Sequence, residues 1–272
     1  MKNKKSRKKK LLISLPIIVA FVVLWIAFCG YQWSWGPFEK LHDIKTSSLA
    51  GNDIVYSLDK AETVQNSALE NKRLIFLGSS VTYGAASKGV SFADYIGKRN
   101  NCTVIKEAVS GTTLVDNGVN SYIKRLEKIN EAQADIFICQ LSTNDATQDK
   151  PLGEISSSKN IDDFDTSTVA GAIEYIIAYA QDKWNCPVVF YTNPKYDSEN
   201  YEKMVDLLYE IKDKWSITII DLYSDEEFNN ITDEERKLYL ADKIHPTQAG
   251  YLEWWTPVFE NTLEEVIKIE SN

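Results

Sequence analysis

The chain has 272 residues, of which 44% are hydrophobic and 25% are charged, which is enough for one well-buried α/β domain with residues to spare. The net charge of −9 hides an asymmetry: residues 1–10 carry seven Lys or Arg and no acid, so the other 23 basic residues (30 minus 7) face 39 acidic ones, a net charge of −16. This acidity excludes nucleic acid as a partner, because a phosphate backbone requires a basic surface.

An uncharged segment follows the basic start. Residues 11–29 contain nineteen residues without a charge, about the length of a helix that crosses a bilayer core, and Pro16 is tolerated in such a helix. The positive-inside rule predicts a single-pass signal-anchor in the cell membrane, with residues 1–10 cytoplasmic and the remainder extracytoplasmic. Four aromatic residues are expected to form a belt at the outer interface: Trp25, Tyr31, Trp33 and Trp35.

Other interpretations of this segment fit less well. A cleaved signal peptide needs small residues before the cut, and Phe28 in "AFCG" is bulky. A lipoprotein modified at Cys29 would also need a small residue at that position. A buried core helix is disfavoured by the adjoining positive charge. We therefore expect an uncleaved anchor, then a membrane-proximal stalk at 30–70 that packs partly on the domain, and a folded domain at 71–272.

From residue 73 onward, short apolar runs alternate with longer amphipathic stretches. Runs rich in β-branched and aromatic residues, separated by helical patterns, predict an α/β fold with a parallel sheet covered on both faces. Five strands are predicted, at 73–79, 102–109, 135–142, 186–193 and 216–223. Functional groups of such a sheet gather at the carboxyl ends of the strands, so the residues after each run are the candidates for a site.

The cysteines predict neither a disulfide framework nor a metal site. Cys102, Cys139 and Cys186 fall in or beside predicted strands, where a free thiol packs as a small hydrophobe. At most one pair of these three could form. No Cys or His spacing matches a zinc motif, so we expect no metal and no other cofactor.

The first strand ends, within "IFLGSSVTYG", on Ser79 and Ser80. One of them can be a nucleophile if a base is near, and histidine is the usual base. The chain has two histidines, His42 in the lead-in and His245 in "ADKIHPTQAG". Asp242 can hold the Nδ1–H of His245, which leaves Nε2 to accept the serine proton. The alternative is that Asp242 and His245 only cap the last helix.

Two further strand ends carry hydrogen-bond donors. Asn144 follows the third strand in "STND", and its amide can stabilise a developing oxyanion, although an Asn-Asp pair is also ordinary turn chemistry. Gly111 follows the second strand in "SGTT", where a backbone without a side chain can point its N–H into a site. With the Ser80 N–H, these groups predict an oxyanion hole built from three strand ends.

Four blocks, "GSSVTYG", "SGTT", "STND" and "DKIHP", resemble in this order those of the SGNH (GDSL-type) hydrolase family. The resemblance covers about residues 73–256 and suggests a membrane-anchored bacterial member with its hydrolase domain at 71–272. It implies a flavodoxin-like three-layer α/β/α sandwich with five parallel strands. It also implies the site roles: Ser80 as nucleophile, His245 as base, Asp242 as its partner, and Ser80, Gly111 and Asn144 as oxyanion donors.

Two positions depart from the family pattern. Ser79 stands where the family usually has an aspartate; that aspartate is not the triad acid, so the change should not remove catalysis. The spacing to Gly84 favours Ser80 over Ser79 as the nucleophile. Ser142 stands where the third block usually has glycine, and it predicts either a more crowded pocket or an extra hydroxyl.

The family cleaves esters and thioesters, often acetyl groups on carbohydrate. With the predicted location, the resemblance implies an extracytoplasmic serine esterase, a carboxylic ester hydrolase that removes O-acyl groups, with O-acetyl expected, from carbohydrate or cell-envelope polymer. Tyr83 and Tyr196 follow strand ends and are predicted to bind the sugar of this acylated carbohydrate or small ester substrate. The irregular segment 147–168 is predicted to border the site.

Three alternatives stay open. An O-acyltransferase acting on envelope glycans would use the same residues if a sugar hydroxyl outcompetes water. A lipase or thioesterase would differ in its chain-length preference. A non-catalytic wall-binding module would keep the fold without turnover, and the complete set of serine, histidine, aspartate and asparagine argues against it.

Overall fold

Five short apolar segments pair as strands in the computed structural model, which describes residues 2–33, 36–38, 40–118 and 120–270. The strands are β1 Arg73–Gly78, β2 Thr103–Ala108, β3 Ile136–Gln140, β4 Val188–Tyr191 and β5 Thr218–Ile220. Their order is β2-β1-β3-β4-β5, the flavodoxin-like order, and every pairing is parallel. The predicted α/β fold with a five-stranded parallel sheet is therefore confirmed.

Helices connect the strands and cover the sheet. Short helices follow β1 and β3 directly, where the chain turns back at the carboxyl edge, and longer helices run across the two faces. The α-helices are α1 Lys2–Trp33, α2 Lys40–Ser47, α3 Ser80–Tyr83, α4 Phe92–Asn100, α5 Tyr122–Leu126, α6 Thr143–Thr147, α7 Val169–Trp184, α8 Glu199–Trp215, α9 Glu226–Asn229, α10 Asp233–Tyr239 and α11 Thr256–Glu270. A π-helical turn, Gly250–Trp255, leads into α11.

The central strands are mostly apolar because both of their faces are covered. Ile75 and Leu77 of β1 pack in one core with α5, α7 and α8, and the alternating Leu74 and Phe76 pack in a second core with α4 and α11. Burial of such a side chain stabilises the fold by roughly 1.5–3 kcal/mol. The two cores hold the strands rigidly, and polar loops are left to the carboxyl edge.

The chain divides into two compact units, Met1–Leu49 and Ala50–Asn272. The first contains α1, with Pro16 inside it, and α2; within this unit His42 Nδ1 lies 3.1 Å from the Tyr31 carbonyl oxygen. Trp35 and the side chain of Trp33 lie outside the described residues. In the part of the chain that is described, no helix is both long enough and apolar enough to span a membrane. The anchor at 11–29 stays a prediction.

The segment 50–70, predicted as part of a stalk, packs within the second unit. Ala61 and Leu69 join the core on the α4 face. The side chain of buried Asn52 donates to the Ala86 carbonyl oxygen at 2.7 Å and accepts the Gln248 N–H at 2.8 Å. These contacts join the loop after α3 to the start of the last helical region, so the structure divides the chain at 49/50 and not at 70/71.

Candidate active site

The structure brings Ser80, His245 and Asp242 together. Ser80 Oγ lies 2.8 Å from His245 Nε2, and Nδ1 of the same ring lies 2.9 Å from Asp242 Oδ2 and 3.0 Å from Oδ1. When Nδ1 carries a hydrogen toward the carboxylate, Nε2 is free to accept the hydroxyl proton. The three side chains therefore have the geometry of a nucleophile, a general base and an orienting acid.

A tight turn from strand to helix presents Ser80. β1 ends at Gly78, and α3 begins at Ser80, so the Ser80 N–H has no partner within its own helix. The turn is closely packed beneath: a Cβ on Gly78 would stand 1.6 Å from Thr82 Oγ1. A side chain at position 78 would therefore displace α3 and with it the serine.

Ser79 is not available as a nucleophile in this geometry. It is fully buried, and its hydroxyl donates to Gln140 Oε1 at 3.1 Å. The same oxygen accepts the Ser79 N–H and the Thr82 hydroxyl, each at 2.9 Å. Gln140 thus fixes the turn that carries Ser80 from the neighbouring strand β3. Sequence reasoning missed Gln140, because a glutamine at the end of an apolar run belongs to no motif.

The loop that carries His245 is closed by the same carboxylate that orients its ring. Asp242 Oδ1 accepts the N–H groups of Ile244 and His245, each at 2.8 Å. From the end of β4, Asn193 Nδ2 donates to the Ile244 carbonyl oxygen at 3.1 Å. These contacts lie within the loop itself, so the alternative that Asp242 caps the last helix does not describe them.

Asp242 is held in its ionised form. Partial burial opposes the charge, but hydrogen bonds from the His245 ring, the positive charge of that ring and the two backbone N–H groups outweigh it and lower the pKa of Asp242 to about 2. The side chain is nevertheless 57% exposed. The acid is therefore a carboxylate throughout the neutral range and accepts Nδ1–H while in contact with solvent.

Two loops beside Ser80 carry the other predicted donors. Gly111 has φ +78°, a conformation that favours glycine, although a Cβ there would meet nothing within 4 Å. Asn144 Nδ2 donates to the Thr112 carbonyl oxygen at 2.9 Å, which uses one of its two hydrogens. The second hydrogen, together with the N–H groups of Gly111 and Ser80, can bind a developing oxyanion.

The hydroxyl of Ser142, one of the two outcomes predicted for this position, forms hydrogen bonds to backbone groups. Ser142 is the N-cap of α6: its Oγ accepts the Asn144 N–H at 3.2 Å and donates to the Thr112 carbonyl oxygen at 3.3 Å. The hydroxyl therefore helps to fix Asn144 relative to the loop after β2. It does not stand free in a pocket.

Arg125 connects the end of β1 and the loop after β2 by hydrogen bonds. It is only 5% exposed, and its Nη2 donates to the Gly78 carbonyl oxygen at 2.8 Å and to Thr112 Oγ1 at 3.0 Å. Its Nη1 donates to the Glu107 carbonyl oxygen at 2.9 Å. Sequence reasoning missed this residue, because an arginine in an amphipathic helix is normally assigned to the solvent-exposed face.

Asp145, which follows β3, forms hydrogen bonds to the loop after β2. Its Oδ2 accepts the Leu114 N–H at 2.8 Å and its Oδ1 the Val115 N–H at 3.1 Å. Burial raises the pKa of Asp145 to about 6, although these backbone hydrogen bonds and the Ser142 hydroxyl act in the opposite direction. Sequence reasoning missed this role, because Asp145 is notable in the sequence only as the neighbour of Asn144.

The two tyrosines predicted to bind sugar lie at opposite ends of the sheet. Tyr83 is 45% exposed, and its ring centroid lies 5.8 Å from the Nζ of Lys106 on β2. Tyr196 follows β4, and its ring centroid lies 5.1 Å from that of Tyr201. Tyr196 lines a cleft of about 470 Å³ that also reaches Asp242. Tyr196 therefore shares a cavity with a residue of the triad.

The middle of the segment 147–168 lies away from the site, whereas its end contacts a loop of the site. Lys214, in the last turn of α8, donates to the carbonyl oxygens of Ser156 and Ser158 at 2.6 Å and 2.5 Å and also binds Glu174. Because α8 starts at the carboxyl edge of the sheet and ends at the opposite edge, these contacts hold the middle of the segment far from Ser80. The Thr166 carbonyl oxygen, however, accepts the N–H of Asp116, in the loop after β2, at 2.9 Å. The prediction that this segment borders the site therefore needs correction for its middle residues.

All four cysteines are free thiols. Burial raises the pKa of Cys102 and of Cys186 to about 11 and raises that of Cys139 as well. A thiol is a nucleophile only as its thiolate. These three side chains are therefore packing groups near neutral pH, as the sequence suggested.

Comparison with protein families gives one match. The model of the GDSL-like lipase/acylhydrolase family matches residues 76–252, more than half of the chain. The match begins within β1 and ends beyond His245, so it contains every residue of the site described above. No curated protein matches the chain in sequence.

Solved structures share the fold at low sequence identity. One is 23% identical with a TM-score of 0.63, over 74% of this chain and 99% of its own. A protein from Lactobacillus plantarum is 19% identical with a TM-score of 0.59, over 74% and 98% of the two chains. A protein named as a GDSL-like lipase from Bacteroides ovatus is 18% identical with a TM-score of 0.55, over 71% and 98%. This likeness is one of fold.

Proposed function

Because the chain belongs to the GDSL-like lipase/acylhydrolase family, we propose that it is a serine esterase that hydrolyses O-acyl esters, and O-acetyl esters in particular, on carbohydrate. The observation that carries the proposal is the 2.8 Å contact between Ser80 Oγ and His245 Nε2, with Asp242 behind the ring. A serine needs such a base to become a nucleophile at neutral pH.

The residues support a two-step reaction. Ser80 Oγ attacks the ester carbonyl while His245 Nε2 takes its proton, and the new oxyanion is bound by N–H groups of Ser80, Gly111 and Asn144. The tetrahedral intermediate collapses, the C–O bond to the sugar breaks, and His245 returns the proton to the departing alcohol. Water, deprotonated by the same imidazole, then attacks the acyl–serine ester; the acyl C–O bond to Ser80 Oγ breaks, His245 returns the proton to Oγ, and the acid is released.

The surroundings of Ser80 favour a short acyl group. The acyl group must lie beside loops that carry Gly111, Thr112 and Asn144, whose side chains are small or polar, whereas a long alkyl chain needs an apolar channel. On the other side of the triad, the cleft at Asp242 and Tyr196 is open to solvent and can accept a sugar. An acetylated carbohydrate satisfies both conditions.

The proposal includes a location. Residues 11–29 would form a single-pass anchor, with residues 1–10 in the cytoplasm and the catalytic unit outside the cell membrane, next to envelope polymers. The support is the sequence: a basic block followed by nineteen uncharged residues. Protease added to intact bacterial cells should digest a C-terminal tag on the full chain. Protection of the tag until lysis would contradict this topology.

Activity tests the esterase directly. We would follow acetate release from p-nitrophenyl acetate by the full chain in detergent, with Ser80→Ala and Ser79→Ala alongside. We expect turnover by the parent and by Ser79→Ala, and none by Ser80→Ala, because Ser79 faces Gln140 and not the imidazole. An inactive folded parent, or an active Ser80→Ala, would refute the assignment.

A second series would define the substrate. Acetylated xylo-oligosaccharides should be cleaved far better than butyrate or octanoate esters of p-nitrophenol. A preference for the long chains would indicate a lipase or thioesterase. Acetylated product formed from an added sugar acceptor, in place of free acetate, would indicate acyl transfer.

A further inference from the structure

The cleft beside the triad has a composition that hydrolysis of a small ester does not require. It lies between the loop after β4, helix α10 and the loop that carries Asp242, with a volume of about 470 Å³. Four cations line it: Lys195, Arg236, Lys237 and Lys243. All four are exposed, in a chain whose residues after 10 carry a net charge of −16 (23 basic against 39 acidic).

These four cations make no ion pair with any described residue, and they differ from unpaired lysines elsewhere on the domain, such as Lys98 and Lys128, because they line one cleft together. Three carboxylates share the cleft, those of Asp197, Asp233 and Asp242. Asp242 is engaged by His245, and Asp233 stands in the first turn of α10, where helix N–H groups favour a negative charge. The cleft next to the triad therefore carries a net charge of +1 (four cations minus three carboxylates) in a domain that is acidic as a whole.

The remaining lining of the cleft is apolar. Tyr196 is half-buried, its hydroxyl is buried, and its ring packs on Tyr201, so the tyrosine offers ring surface and not its polar end. Leu240 lines the same cleft. An aromatic ring beside an aliphatic side chain suits the C–H face of a sugar, and the cations suit a negative group carried on that sugar.

The adjoining cavity has the opposite charge. The same Lys195 also lines a second cavity, of about 770 Å³. The other residues that line this second cavity include Glu202, Asp206, Glu226 and Glu227. An anion would be repelled from this acidic cavity and attracted to the cleft at Asp242. The two charged regions would thus orient a chain with its negative group at the triad end.

We propose that this cleft binds an anionic sugar unit, one that carries a carboxylate or a phosphate, of the glycan whose ester is cleaved at Ser80. The proposal rests on the proposed esterase function for the identity of the bound glycan as substrate. The sugar ring lies on Tyr196 and Leu240, and its negative group lies among Arg236, Lys237 and Lys243. The preferred substrate is therefore an acylated glycan with an anionic sugar unit in this cleft rather than a neutral glycan.

Binding without turnover tests the site by itself. Calorimetry on the full chain in detergent would compare trigalacturonate with galactotriose, and glucose 6-phosphate with glucose. We expect about tenfold tighter binding of at least one charged sugar over its neutral match at low salt, with the difference lost at high salt. A preference for trigalacturonate identifies a carboxylate as the natural group, and a preference for glucose 6-phosphate identifies a phosphate. Equal binding within both pairs overturns the proposal.

Variants locate the effect. Arg236→Gln combined with Lys237→Gln should remove most of the charge preference, whereas the matched double variant Lys98→Gln with Lys128→Gln, at exposed positions away from the cleft, should keep it. If the control pair lowers the preference as much as the cleft pair, general charge and not this cleft is responsible, and the proposal fails.

Hydrolysis separates the two proposals. With O-acetylated trigalacturonate and O-acetylated galactotriose, the ratio of their kcat/KM values should favour the charged ester and fall about tenfold in the cleft variant. If charged sugars bind better but no ester is cleaved, the anion site stands and the esterase function fails. If both esters are cleaved equally and bound equally, the esterase stands and the anion site fails.

Discussion

The side of the site around Ser80 and Asn144 is buried and hydrogen-bonded from below, whereas the side around Asp242 is open and charged. Two carboxyl groups illustrate the difference. Asp145 is fully buried, and its pKa is raised to about 6; Asp242 is 57% exposed, and its pKa is lowered to about 2. The first supports the backbone of two loops, and the second orients a reacting group. Rigidity and access are thus provided by different halves of one site.

The largest expected effect concerns the open half. In Asp242→Asn, the amide oxygen can still accept the N–H groups of Ile244 and His245, but its NH₂ then faces Nδ1. The hydrogen of the ring moves to Nε2, which can no longer take the Ser80 proton. We expect kcat on p-nitrophenyl acetate to fall about ten-thousand-fold, as loss of the correct tautomer does in serine proteases.

The matched variant Asp242→Ala tests whether solvent reaches the His245 ring. Because the position is exposed, water can replace the carboxylate as the acceptor of Nδ1–H, so Ala should retain at least about tenfold more activity than Asn. Equal losses would mean that solvent does not reach the ring, and the two halves of the site would then not differ in access.

The next effect concerns the buried half. Arg125→Met removes a donor from the carbonyl oxygens of Gly78 and Glu107 and from the hydroxyl of Thr112, and each buried acceptor left unsatisfied costs about 1–3 kcal/mol. We expect a fall of this order in the free energy of unfolding, measured with urea, and a fall in kcat. Arg125→Lys keeps the charge but not the planar fork, so it should recover only part of the stability. Full recovery by Lys would show that charge alone is needed.

The sequence predicted the reacting residues of the site but not the residues that support them. Ser80, His245 and Asp242 could be found because each belongs to a short local pattern at a strand end. The supporting contacts could not, because they join residues far apart in the chain: Gln140 and Ser79 are separated by 61 positions, and Arg125 and Gly78 by 47. Polarity and spacing within a segment carry no signal for such pairs. The same limit applies to residues 50–70: their sequence predicts part of a stalk, and it carries no signal for the contacts of Asn52 with Ala86 and Gln248.

A pH series separates the two carboxyl groups. The fold raises the pKa of Asp145 from 3.8 to about 6, so its contribution to the free energy of unfolding is fully present below pH 4 and is lost as the pH rises through 6. The stability of the parent relative to Asp145→Asn should therefore fall by up to about 3 kcal/mol between pH 4 and pH 7. Asp242 does not contribute to this change in stability between pH 4 and pH 7. Its pKa is lowered, so its contribution to the free energy of unfolding is lost only as the pH falls from about 4 through 2.

Urea unfolding of the parent and Asp145→Asn at half-unit steps of pH makes this measurement. Asp242→Asn is measured alongside, since the contribution of this carboxyl to stability is lost as the pH falls from about 4 through 2. A flat curve for Asp145→Asn would mean that the buried carboxyl ionises as it does in the unfolded chain, and that its two backbone hydrogen bonds offset burial completely.

The smallest expected effect concerns Ser142, which holds the oxyanion donor Asn144 in position. Ser142→Gly restores the residue that the family usually has, and it removes the cap on the Asn144 N–H and the bond to the Thr112 carbonyl oxygen. A serine cap replaced by glycine lowers stability by only a few tenths of a kcal/mol. Asn144 would be held less firmly, however, so kcat should fall by about threefold to tenfold while KM changes little. The matched change Thr168→Gly removes the cap of α7, whose hydroxyl accepts the Gly171 N–H, and should lower stability similarly while leaving kcat unaltered. If the two variants lose kcat equally, the hydroxyl of Ser142 acts through general stability and not through the position of Asn144.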